Sequence, residues 1–150
     1  VFSVEQVDGQ TRVAMAATLE NIDRADKLVC AFLDALRVAV DRFAVRLLAR
    51  EALLNAVMHG SQLDPCREAR FTIGCDDEAV VMTVEDDGPG FDWRAHRGIR
   101  SERASGGRGV SLMRLYATEV FFNATGNCVT LRRRFADAEA PATCQNEEHS

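Results

Sequence analysis

No stretch of apolar residues in this 150-residue chain is long enough to cross a bilayer, and no charged-then-apolar leader opens it. A membrane span is therefore not expected, and the sequence reads as cytoplasmic. It lacks an excess of basic residues: the formal net charge is -5 and the pI is near 5.2, whereas affinity for a nucleic-acid backbone comes from clustered Lys and Arg. General nucleic-acid binding is excluded on that ground. The five cysteines, Cys30, Cys66, Cys75, Cys128 and Cys144, are odd in number and include no Cys-x-x-Cys pair, so neither a disulfide framework nor a zinc site is indicated. There is no internal repeat, which removes solenoids and propellers. The chain opens on Val1, so it reads equally as a whole protein or as a domain cut from a longer one.

What is present is one compact domain with 47% hydrophobic residues, enough at this length to bury roughly 70% of the unfolded surface. Alternation predicts a strand over Arg12–Leu19, and helical spacing of Ile22, Ala25, Val29, Phe32 and Leu36 predicts a helix over Glu20–Leu36. Asp41 is placed to cap a second helix running to His59 and closed by Gly60. Ala69–Cys75 and Ala79–Glu85 alternate about an Asp76-Asp77-Glu78 turn, which predicts a hairpin. A short helix over Val110–Tyr116 and strands over Glu119–Asn123 and Cys128–Phe135 follow. Helices and strands are segregated, so the fold class expected is an α+β two-layer sandwich: a mixed, mostly antiparallel sheet of at least four strands with helices on one face. Residues 1–135 form the expected domain. Residues 136–150, without periodicity, read as a mobile tail.

Three short blocks carry the chemistry. Glu51, Asn55 and His59 fall at i, i+4 and i+8 among leucines, so on an α-helix they make one polar stripe that needs a polar neighbour. Asp86-Asp-Gly88-Pro-Gly90 is an acidic, glycine-rich turn at a strand end. Ser105-Gly106-Gly107-Arg108-Gly109-Val110 is a glycine-rich loop opening an apolar helix, where backbone N–H groups suit phosphate oxygens. The segment between the last two blocks has no apolar period and carries Arg94, Arg97, Arg100, Arg103 and Arg108 against Asp92 and Glu102, a local surplus that attracts a polyphosphate.

In this order the blocks resemble the Bergerat-type ATP-binding fold of gyrase, heat-shock chaperone, histidine-kinase and MutL ATPases, over roughly residues 19–135. The small size, the short segment between second and third motifs and the terminal hairpin are most similar to the bacterial anti-sigma-factor serine/threonine kinases. The resemblance implies ATP and Mg²⁺ as cofactors. By it, Asn55 supplies an amide oxygen to Mg²⁺, Glu51 is the general base, His59 has a phosphate-side role, and Gly60 ends the same ATP-binding motif. Asp86 accepts from the adenine amine between Gly88 and Gly90, and Ser105, Gly106, Gly107, Arg108, Gly109 and Val110 wrap the phosphates. Each has an ordinary alternative: a structural amide for Asn55, an ion pair with Arg46 or Arg50 for Glu51, a helix-end cation for His59, a plain acidic turn for Asp86. Ser111 departs from the family, which often has a bulky apolar residue there. The implied partners are an anti-anti-sigma protein and a sigma factor; a homodimer is also admitted. No phosphoacceptor helices or transducer domain accompany the domain, which sets aside a complete sensor kinase or a large ATPase machine. The competing reading is a non-catalytic ATP-binding switch from a multidomain signalling protein.

Overall fold

A computed structural model of the chain describes residues 2–89 and 112–136. Strands β1 (Phe2–Val7) and β2 (Gln10–Ala16) lead into helices α1 (Leu19–Ala35) and α2 (Arg42–Leu54). A π-helical turn (Asn55–Gly60) continues α2, followed by strands β3 (Glu68–Cys75), β4 (Ala79–Asp86), β5 (Glu119–Phe122) and β6 (Cys128–Arg134). The strands form one sheet in the order β1-β2-β3-β4-β6-β5. Every pairing among the described residues is antiparallel. The α+β sandwich is as expected, with six strands among the described residues where the sequence predicted at least four.

Register explains the two layers. Val13 pairs with Phe71, Phe71 with Val84 and Val84 with Val129, and all four side chains are buried. Ile73, Met82 and Leu131 make the neighbouring row. These rows meet Ile22, Val29 and Leu33 of α1 and Val45, Leu48 and Leu53 of α2. Each such side chain contributes roughly 1.5–3 kcal/mol by leaving water. The alternate positions, Arg12, Thr72, Thr83 and Thr130, face away from this core. No helix among the described residues is long and apolar enough to cross a membrane.

Local chemistry sets the boundaries. Thr18 caps α1 by accepting from Asn21 N–H at 3.3 Å, and Asp41 caps α2, as predicted, by accepting from Ala44 N–H at 3.0 Å. The first strand ends at Ala16 and not at Leu19, because Thr18 already belongs to the cap. The N-terminal strand β1 had no counterpart in the sequence reading. Its signal was Asp8-Gly9, whose positive φ values of 50° and 80° make a two-residue hairpin turn between Val7 and Gln10.

Candidate functional site

The predicted helix to His59 does not stay α-helical. After Leu54 the turn widens, and Ser61 N–H reaches back five residues to Ala56 C=O at 2.8 Å. Such single π-turns cluster at functional sites. Glu51 and Asn55 lie within α-spacing and are both half-buried, one turn apart. His59 lies in the same π-turn as Asn55 and is exposed, whereas Glu51 and Asn55 are half-buried. Near this pair, Arg46 binds Asp26 at 2.9 Å and Arg50 binds Asp23 at 3.4 Å.

The widened turn brings Gly60 against the end of β4. A side chain at Gly60 would collide with the Asp86 carboxylate, and one at Gly88 would collide with the carbonyl oxygen of Gly60. Two backbone segments distant in sequence are therefore in direct apposition over one carboxylate, which is possible only because both residues lack a Cβ.

Asp86 is buried on the helix side of the sheet, at 6% exposure, whereas Asp87 turns outward. The difference is enforced from behind. Arg70 on β3 donates to Asp87 at 2.9 Å, to Glu85 at 3.4 Å and to Glu68 at 3.3 Å, holding both sequence neighbours of Asp86 on the open face. Asn127, in the turn before β6, accepts from Asp86 N–H at 3.0 Å through its carbonyl. Its side-chain amide donates to Asp86 C=O at 3.2 Å and reaches Gly88 C=O at 3.5 Å. The sequence singled out neither Asn127 nor Arg70 as a site residue. Neither position carries a local signal, since their partners lie 17 and 41 residues away.

The carboxylate is poised to accept. Asp86 Oδ1 takes Gly88 N–H at 2.7 Å. Burial pushes the carboxyl above the usual aspartate range, opposed by the Gly88 N–H and aided by the charge of Asp87. One residue after Gly60, Ser61 is fully buried and its hydroxyl has no partner among the described residues. Nothing in the sequence distinguished it. Buried polar atoms left unpaired are costly, and an adenine amine is the kind of donor that Asp86 calls for. No cluster of three His, Cys, Asp or Glu among the described residues could cage a metal. A cation beside Asn55 would thus draw most of its ligands from phosphates and water, as Mg²⁺ commonly does. Both groups fit the residues present.

Gly90 and the predicted phosphate loop, Ser105, Gly106, Gly107, Arg108, Gly109 and Val110, lie outside the described residues, as do Arg94, Arg97, Arg100 and Arg103 before it. Residues 112–116, immediately after, are helical, and Met113 is fully buried.

No curated protein matches the chain. The profile of the histidine kinase-like ATPase domain matches residues 15–133, a span that begins in β2, ends in β6 and contains Glu51, Asn55, Gly60, Asp86 and Gly88. Most of the chain is covered by that match, and the α+β architecture agrees with it: the chain belongs to the histidine kinase-like ATPase domain family.

Proposed function

We propose that this ATP-binding domain is a Mg²⁺-dependent serine/threonine protein kinase of the anti-sigma type, phosphorylating an anti-anti-sigma protein and, in a second state, sequestering a sigma factor. The observation that carries the reading is the continuity of α2 and its π-turn. Glu51 stands one turn before Asn55, and the same segment ends at Gly60 against Asp86. One rigid element thereby links the base end of the nucleotide to the place where its phosphates are transferred.

In this arrangement Asp86 selects adenine, Gly60 and Gly88 let the backbone close on the base, and Asn55 supplies the amide oxygen that holds Mg²⁺. The bound cation would neutralise charge on the phosphates. Glu51 accepts the proton of the acceptor hydroxyl as that oxygen bonds to the γ-phosphorus. The bond to the ADP oxygen breaks in the same displacement, and ADP leaves with its electron pair.

The test is Glu51→Gln, assayed with labelled ATP and a candidate anti-anti-sigma protein. The amide keeps the shape and loses the base, so nucleotide binding should persist while transfer falls by about 10²- to 10⁴-fold. If the wild-type chain transfers no phosphate to a partner that it binds in a nucleotide-dependent way, the kinase reading fails and the switch module stands.

A further inference from the structure

The turn between β5 and β6 is held by polar side chains whose orientations determine one another. Asn123, just past β5, accepts through its side-chain carbonyl from the backbone N–H of Gly126 at 2.8 Å, Asn127 at 3.0 Å and Cys128 at 3.2 Å. An amide nitrogen cannot accept, so these donors fix which end of the Asn123 amide faces the turn. Its NH₂ group then points at Asn127 and donates to Asn127 Oδ1 at 2.6 Å. The Thr125 hydroxyl donates to the same oxygen at 2.9 Å.

With its oxygen engaged by these two donors, Asn127 presents its NH₂ group to the other side. There it meets the carbonyls of Asp86 at 3.2 Å and Gly88 at 3.5 Å, and Gly88 N–H closes on Asp86 Oδ1 at 2.7 Å. Polarity is thus passed from the backbone of one turn, through two amides, to the carboxylate in another. An Asn127 amide turned over would set its oxygen against two backbone carbonyls, leaving acceptors without donors and pushing the Asp86–Gly88 turn away. Asn123 and Thr125 themselves are exposed side chains, with no apolar packing to explain them.

We propose that Asn123, assisted by Thr125, is a positioning residue for base recognition: it orients the Asn127 amide, which holds the Asp86–Gly88 turn in the geometry that accepts adenine. The proposal rests on the nucleotide reading of Asp86 and deepens it. Part of the base selectivity is placed in a hairpin turn that acts on the carboxylate through Asn127.

Asn123→Asp separates this role from a structural one. The new carboxylate still accepts from the three N–H groups of the turn, but it cannot donate to Asn127 and attracts the Asn127 NH₂ group instead. Circular dichroism should show the fold retained. In the ligand-free chain, exchange of Gly88 N–H with solvent, followed by NMR, should quicken at least about tenfold. Mg-ATP affinity, measured by calorimetry, should fall about tenfold. Thr125→Val removes the second donor without adding charge and should move both readouts the same way by a smaller factor. Direct repulsion between the new charge and the nucleotide is separated by making Asn123→Asp in an Asn127→Ala chain, where it should change neither readout further. The proposal is overturned if Gly88 N–H exchanges alike in wild type and Asn123→Asp, if exchange quickens while ATP affinity is unchanged, or if the loss persists undiminished in the Asn127→Ala chain. A wild type that binds no ATP overturns the nucleotide reading and with it the role in base recognition, whereas the exchange of Gly88 N–H then still shows whether Asn123 positions the turn.

Discussion

Alanine at Gly60 should cost the chain its ATP binding while leaving the sheet and both long helices folded. The new Cβ would occupy the space of the Asp86 carboxylate, so Asp86 must swing away or the π-turn must retreat. Either movement removes the charged hydrogen bond to adenine, worth about 1.5–3 kcal/mol, or roughly 10- to 100-fold in affinity. Gly88→Ala should be harsher, because its Cβ meets the backbone carbonyl of Gly60, which cannot rotate out of the way. Gly74→Ala is the control. Its Cβ meets only the flexible Gln10 side chain on the sheet, and ATP affinity should be retained. The measurement is isothermal titration with Mg-ATP, alongside circular dichroism to verify the fold. Binding unchanged in Gly60→Ala would separate the Gly60–Asp86 contact from the nucleotide site.

Asp86→Asn should produce opposite effects on binding and stability. Because burial raises the Asp86 carboxyl, the folded chain holds that proton more tightly than the unfolded chain does. The stabilisation linked to the proton is fully present below the unfolded value of about 3.9, and it is lost as pH rises through the raised folded value. At neutral pH the ionised Asp86 is therefore a load on the fold. Asparagine can still accept from Gly88 N–H and carries no charge, so the ligand-free variant should melt at a higher temperature than wild type at pH 7. The gap should close as pH falls toward the unfolded value. The stabilisation by ATP, about 2.7 kcal/mol at a hundredfold excess over Kd, should disappear because the new amide presents a donor to the adenine amine. Such a trade of stability for function is common at binding sites. A variant less stable than wild type at pH 7 would remove burial as the cause.

Much of the fold was legible in the sequence. The Asp41 cap, the hairpin around Asp76–Glu78 and the long helices follow from local chemistry, and the resemblance to the family's Asp-x-Gly-x-Gly motif pointed to Asp86 over Asp87. What sequence could not supply was geometry between distant segments. No residue preference separates an α-turn from a π-turn over Asn55–Gly60. The two glycines could be read as permissive, but not as touching each other. Arg70 and Asn127 fix the orientation of Asp86 through contacts across the sheet, and the buried Ser61 hydroxyl has no partner among the described residues. β1 was missed for another reason. Four of its six residues are exposed, so its apolar alternation is weak, and only the Asp8-Gly9 turn marked it.

The central claim is that a buried Asp86 reads the base of a bound adenine nucleotide, and a calorimetric competition between Mg-ATP and Mg-GTP on the full chain tests it most directly. Guanine offers a carbonyl where adenine offers an amine, so the Asp86 carboxylate would face an acceptor and both groups would lose their partners. The account predicts that ATP binds and that GTP binds at least about tenfold more weakly. Equal affinity for the two nucleotides, or no affinity for ATP, would contradict it.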